Sequence, residues 1–177
     1  MKTATSIAIS LSLACASAAL VGVTARAGGD KVAFPATYDT GVMYTTVDRA
    51  DNKQYRELFT SRAAVEAAKK GQPLPSGTVI TLVQYAAKLD AQGNPEKGAN
   101  GRFIKGNLIG YTVMEKRTGW GTEYPGNVRN GEWEYQAFKA DKTPNAAANL
   151  TACFNCHKPL DAAKDFVFTY ERIKAAP

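Results

Sequence analysis

The run Cys153-Phe154-Asn155-Cys156-His157 constrains this chain more than any other stretch. Of the three cysteines only Cys15 lies elsewhere, and His157 is the sole histidine. Two thiols three residues apart share one face of a helical turn, where each can add across a vinyl group of haem. The histidine that follows is then held beneath the porphyrin as an iron ligand. Any fold for this chain therefore has to build walls around a large flat cofactor, mostly from residues that precede the motif.

Other chemistries fit the same residues less well. A closed zinc site needs four ligands, and the motif offers three with no second pair elsewhere. A redox Cys-x-x-Cys sits early in a βαβ setting, whereas this one lies near the end of the sequence. A disulfide across so short a loop gains little chain entropy. One covalent haem c, bound through Cys153 and Cys156 with His157 on the metal, accounts for all three residues at once.

Residues 1–27 read as a cleaved secretory signal: Lys2, a largely apolar Ala-rich run, then the small-residue pattern Ala25-Arg26-Ala27. The run is interrupted by Ser and Thr and followed by a turn-rich segment, so no membrane span is expected in the mature form. At Cys15 a lipid anchor is disfavoured, since Ser12 stands where such a motif has Leu. Residues 28–177 then form a single domain, exported to a periplasm, the compartment in which haem c is attached. The leader takes Lys2 and Arg26 and no acid, leaving 20 of the 22 basic residues against all 16 acidic ones. That excess is dispersed, which gives no support to nucleic-acid binding and suits at most an acidic periplasmic redox partner.

Alternation of apolar residues predicts strands over 41–47, 54–61, 77–88, 102–117 and 132–140. A helix is expected over 61–71, with Ser61 as N-cap and Gly71 as terminator. The Gly/Asn/Pro-rich stretch 89–101 reads as a hairpin-like loop. A second helix, entered through Thr143-Pro144, is expected over 144–157 and ends in the haem motif, and 165–173 either closes the sheet or caps it with a short helical turn. The fold class is α+β: an antiparallel sheet of about five strands packed with two or three helices, the C-terminal one binding haem.

From about Tyr38 to Tyr170 the order of elements resembles the cytochrome P-460 family, which includes the β-sheet cytochromes c-prime. The likeness is carried by "GTVI" on a central strand, "GNLIGY" after the loop, the aromatic strand "GEWEYQAF", then "CFNCH" followed by "DFVFTY". The resemblance implies a homodimer and a five-coordinate haem on His157 with an open distal face. It further implies either binding of nitric oxide or carbon monoxide or, in enzymatic members, oxidation of hydroxylamine or conversion of nitric oxide. Those members cross-link a lysine to the porphyrin, and the matching position here is Leu82, with no lysine between Gly77 and Ala87. A carboxylate of the enzymatic members falls at Thr112, while a distal arginine and the aromatic after it fall at Arg56 and Phe59. With Leu82, Phe59 and Arg56 but no acid, the site resembles a gas-binding pocket more than an oxidase, whose proton-coupled step needs a positioned acid or base.

A different function follows if a thioether closes the iron. Met43 and Met114 are the methionines outside the leader, and either as sixth ligand makes the chain an electron carrier. Both also fit as core filling in strands. Lys88, Lys97 and Lys105 are read as solvated loop and strand-end residues.

Overall fold

The protein's structure is a computed structural model that describes residues 30–160 and 162–177; the leader expected over residues 1–27, with Cys15, lies outside the described residues. Five strands, β1 (Val42–Arg49), β2 (Gln54–Thr60), β3 (Val79–Ala87), β4 (Lys105–Lys116) and β5 (Trp133–Lys139), each pair antiparallel with the next in sequence. Three helices complete the α+β fold: α1 (Arg62–Lys69), α2 (Leu150–His157) and α3 (Tyr170–Lys174).

The period of two sends alternate side chains to opposite faces. Leu58, Ile80, Met114, Trp133 and Tyr135 face the helices, where they join Val65 of α1, Phe154 of α2 and Ile173 of α3 in one core. Phe59, Val83, Tyr111, Val113 and Phe138 face the other way and are covered by Val32 and Phe34 of the lead-in and by Tyr38. This second core packs ring edge to ring face, with Phe34 4.9 Å from Tyr111 and 5.3 Å from Phe138 between centroids.

A bulge in β1 changes what the first face carries. Met43 pairs with Phe59 and Thr45 with Leu58, so Tyr44 is an extra residue and the alternation shifts by one. Val42 and Tyr44 point toward the helices before the bulge, and Val47 and Arg49 do so after it.

Ser61 caps α1 by accepting from the Ala64 N–H at 3.2 Å, and Gly71, at φ +68°, ends it by donating to Ala68. The loop 89–101 is hairpin-like, with antiparallel bridges Leu89–Pro95 and Lys97–Phe103. The expected helix over 144–157 is shorter than its Ala-rich sequence suggests. Pro144 extends the sheet as a bridge partner of Phe138, the Asn145 N–H donates to the Ala137 carbonyl, and the Asn145 side chain accepts from Ala147. Asn149 then caps α2 by accepting from Ala152. Asn side chains compete locally with a helix interior and favour its start, which sets the boundary. Residues 165–173 do not join the sheet: Asp165 and Phe166 turn left-handed at φ +48° and +56° before α3 begins.

Candidate cofactor site

Between the helix-facing side of the sheet and α2 lies a cavity of about 480 Å³, within the usual range for cofactor and small-molecule sites. Its sheet wall is aliphatic around Val47, Leu58, Ile80 and Leu82, and becomes polar toward Arg49, Arg56, Gln84 and Thr112. The facing wall carries Cys153, Cys156 and His157 from α2 and Val167, Phe168 and Thr169 from the segment after it.

The spacing in the motif does what a helical turn requires of it. Cys153 and Cys156, both free thiols, lie one turn apart and both reach the cavity, while Phe154 between them points into the core. Phe154 seats the helix: its ring meets Tyr135 at 4.7 Å and Tyr124 at 5.3 Å, and its carbonyl accepts from Asn130 Nδ2 at 2.9 Å. At the helix end Lys158 Nζ donates to the carbonyls of Gly126 and Arg129. Burial, and then the neighbouring Cys156, push the Cys153 thiol up in pKa.

His157 is fixed on three sides. Its ring lies 5.1 Å from that of Tyr135 and 5.0 Å from that of Phe168, and Nδ1 is 2.7 Å from the Phe166 carbonyl. A carbonyl only accepts, so Nδ1 carries the proton and donates, which leaves Nε2 with the free lone pair. Burial lowers the pKa of the imidazole, favouring the neutral form a metal requires, against the opposing pull of that hydrogen bond. Among the described residues no group of three His, Cys, Asp or Glu side chains is gathered as a metal cluster.

The other residues singled out in the sequence divide between the two faces. Leu82 lines the cavity and pairs across the sheet with Thr112, whose Oγ1 accepts from Gln84 Nε2 at 3.2 Å. Arg56 lines it too, with Nε and Nη2 donating to Gln54 Oε1 at 2.9 and 2.7 Å; burial and then the like charge of Arg49 lower its pKa. Phe59 does not. Three positions from Arg56 is an odd step along a strand, so Phe59 points to the opposite face, where its ring packs 5.1 Å from Tyr38. Met43 is half exposed and also outside the cavity, whereas Met114 lines it and pairs across the sheet with Tyr135. No lysine lines the cavity among the described residues: Lys88 and Lys97 are exposed, and Lys105 pairs with Glu57 at 2.8 Å.

Some residues that build the site went unread in the sequence. Arg49 reaches the cavity only because of the β1 bulge, which no simple pattern announces. Asn130, fully buried, joins β5 to α2 by donating to both the Tyr135 hydroxyl and the Phe154 carbonyl.

An antiparallel meander holding a Cys-x-x-Cys-His helix over a cofactor-sized cavity defines a class of single-sheet α+β proteins built around a bound group. The family comparison is more specific: the model of the cytochrome P-460 family matches residues 35–169, most of the chain, and the chain belongs to that family. Membership implies a c-type haem protein, with haem c as the cofactor. A comparison with individual curated proteins returned no match. Among the described residues no helix is long and apolar enough to cross a membrane.

Proposed function

We propose that the chain is an exported periplasmic protein whose single domain over residues 28–177 carries one haem c. In this reading Cys153 and Cys156 bind the haem through thioethers, and His157 is the one protein ligand to its iron. With the haem bound, the cavity would admit small diatomic or nitrogen-oxide ligands such as nitric oxide or carbon monoxide to it. A bound haem supplies an iron whose sixth position accepts such ligands, with affinity set by the surrounding pocket. The observation that carries the reading is the commitment of His157 Nδ1 to the Phe166 carbonyl, which presents Nε2 as the ligating atom.

The rest of the wall supports an open site. Met114 is almost fully buried in the helix-facing core, beside Tyr135 across β4 and β5, where a methionine serves as filling for the sheet wall of the cavity. Met43 lies outside it. The electron-carrier alternative, which needs a thioether opposite the imidazole, is therefore the weaker one.

Hydroxylamine oxidation or nitric oxide conversion asks for an acid or base beside the bound ligand. The lining holds no Asp, Glu or Lys among the described residues, and its polar end offers Thr112, Gln84 and the guanidinium groups of Arg49 and Arg56. Those groups orient a ligand or receive an anionic edge of the cofactor without readily exchanging a proton.

Optical spectra of the purified holoprotein, ferric and dithionite-reduced, with and without carbon monoxide or nitric oxide, test this. A high-spin ferrous spectrum at an ordinary c-type position that shifts with either gas is expected. A low-spin spectrum indifferent to both gases overturns the open site in favour of electron transfer. A strongly red-shifted ferrous Soret band means that a lysine reaches the porphyrin, and the oxidase reading replaces this one.

A further inference from the structure

Behind the imidazole lies a buried ion pair that neither the cavity nor the thiols require. Lys116 Nζ, at the end of β4, donates to both oxygens of Asp165 at 2.9 Å, and the two side chains are only 11% and 10% exposed. The same carboxylate accepts from the Leu74 N–H at 2.8 Å and, at 3.4 Å, from Trp133 Nε1. Asp165 is thereby tied to β4, to β5 and to the loop before β3.

Asp165 and Phe166 are consecutive residues at φ +48° and +56°, a conformation that Asp tolerates but that is unfavourable for a bulky residue such as Phe166 and sustained only where the surroundings over-determine it. Gly131 makes room for the result, since a Cβ there would stand 3.1 Å from the Phe166 ring. What the turn delivers is the Phe166 carbonyl, aimed at His157 Nδ1.

We propose that Asp165, locked by Lys116, is a positioning residue for the iron ligand. It holds the left-handed turn whose carbonyl fixes the tautomer and orientation of His157 and raises its basicity. The inference rests on reading His157 as that ligand. Buried ion pairs contribute little net stability once desolvation is counted, so geometry is the more telling consequence of this one. A partner that holds a ligating histidine by its second nitrogen tunes the metal. Here that partner is a main-chain atom, clamped one residue away by a side-chain pair.

The test compares wild-type holoprotein with Asp165→Asn, Lys116→Gln and Lys116→Arg, and with Val113→Ala, a buried substitution on the other face. The readouts are the iron–histidine stretch in ferrous resonance Raman spectra, the midpoint potential and the thermal midpoint. Asn tolerates a left-handed backbone and still accepts from Leu74, which favours a folded product. Asp165→Asn and Lys116→Gln are expected to lower and broaden the stretch and move the potential positive, whereas Lys116→Arg returns both toward wild type. Val113→Ala is expected to lower the thermal midpoint alone. If Asp165→Asn does not accumulate folded, the two Lys116 variants carry the same comparison. A wild-type stretch and potential in every Asp165 and Lys116 variant, with only stability reduced, overturns the proposal while His157 remains the ligand. A His157→Ala holoprotein whose iron–histidine stretch is unchanged from wild type removes the underlying reading and this proposal with it.

Discussion

The two faces of the sheet are built from the same five strands and solve different problems. On one face Phe34, Tyr38, Tyr111 and Phe138 fill space with their own rings, edge to face, until the side chains satisfy one another. On the other, shorter aliphatic residues stop short of α2, and what meets across the gap is two thiols, an imidazole and two guanidinium groups. Only the second face depends on a group the polypeptide does not encode. A substitution on the aromatic face should therefore act on stability, and one on the cavity face on cofactor chemistry.

The largest expected effect is on the cavity face. Replacing Cys153 and Cys156 together by Ala should abolish covalent haem, read as loss of haem staining on a denaturing gel. Either single replacement should leave one thioether and a shifted pyridine haemochrome band. Retention of covalent haem in the double variant would break the assignment of the motif.

Next in size is Phe138→Ala. Its ring is almost fully buried against Phe34, and truncating such a residue costs about 3–5 kcal/mol. Denaturant unfolding of the holoprotein should show that loss, while the gas-binding spectrum of the folded fraction keeps its wild-type form. A changed spectrum would mean that the faces are coupled through the sheet.

The smallest effect is a slope. Glu134 is fully buried on the aromatic side, with Tyr124 donating to Oε2 at 3.2 Å and Glu115 opposite it on β4. Burial raises its pKa, with Asp30 adding to the rise and the Tyr124 hydrogen bond and Lys31 opposing it. Between the ordinary carboxylate value of about 4.3 and the raised one, the folded protein keeps a proton that the unfolded chain has released. Stability therefore falls as pH rises through that window. Glu134→Gln keeps an acceptor for Tyr124 and should flatten the fall, measured as unfolding free energy against pH; an unchanged slope would place the titration elsewhere.

How legible each face was follows from the range of the signals. Alternation is local, so all five strands could be read, and so could Ser61 as a cap and Gly71 as a stop. The motif was equally plain, because three residues within five state their own chemistry. Phe59 was readable in principle, since its odd spacing from Arg56 already puts the two on opposite faces. The bulge at Tyr44 was not, because one extra residue leaves no compositional trace. Nor was Lys116–Asp165, which joins positions 49 residues apart through the fold alone. The Ala-rich approach to α2 misled because helix propensity yields when Pro144 and Asn145 are taken up by pairing with β5.

The meander also sets an order of events. Each strand pairs with the one just before it in the chain, so the sheet can grow strand by strand in chain order. In the exported chain proposed above, residues 42–139 leave the export channel before Leu150–His157, so the sheet side of the cavity can form while the thiols are still at the trailing end. On that order the motif-bearing helix would dock late and stay accessible to haem attachment until the rest of the domain closes over it.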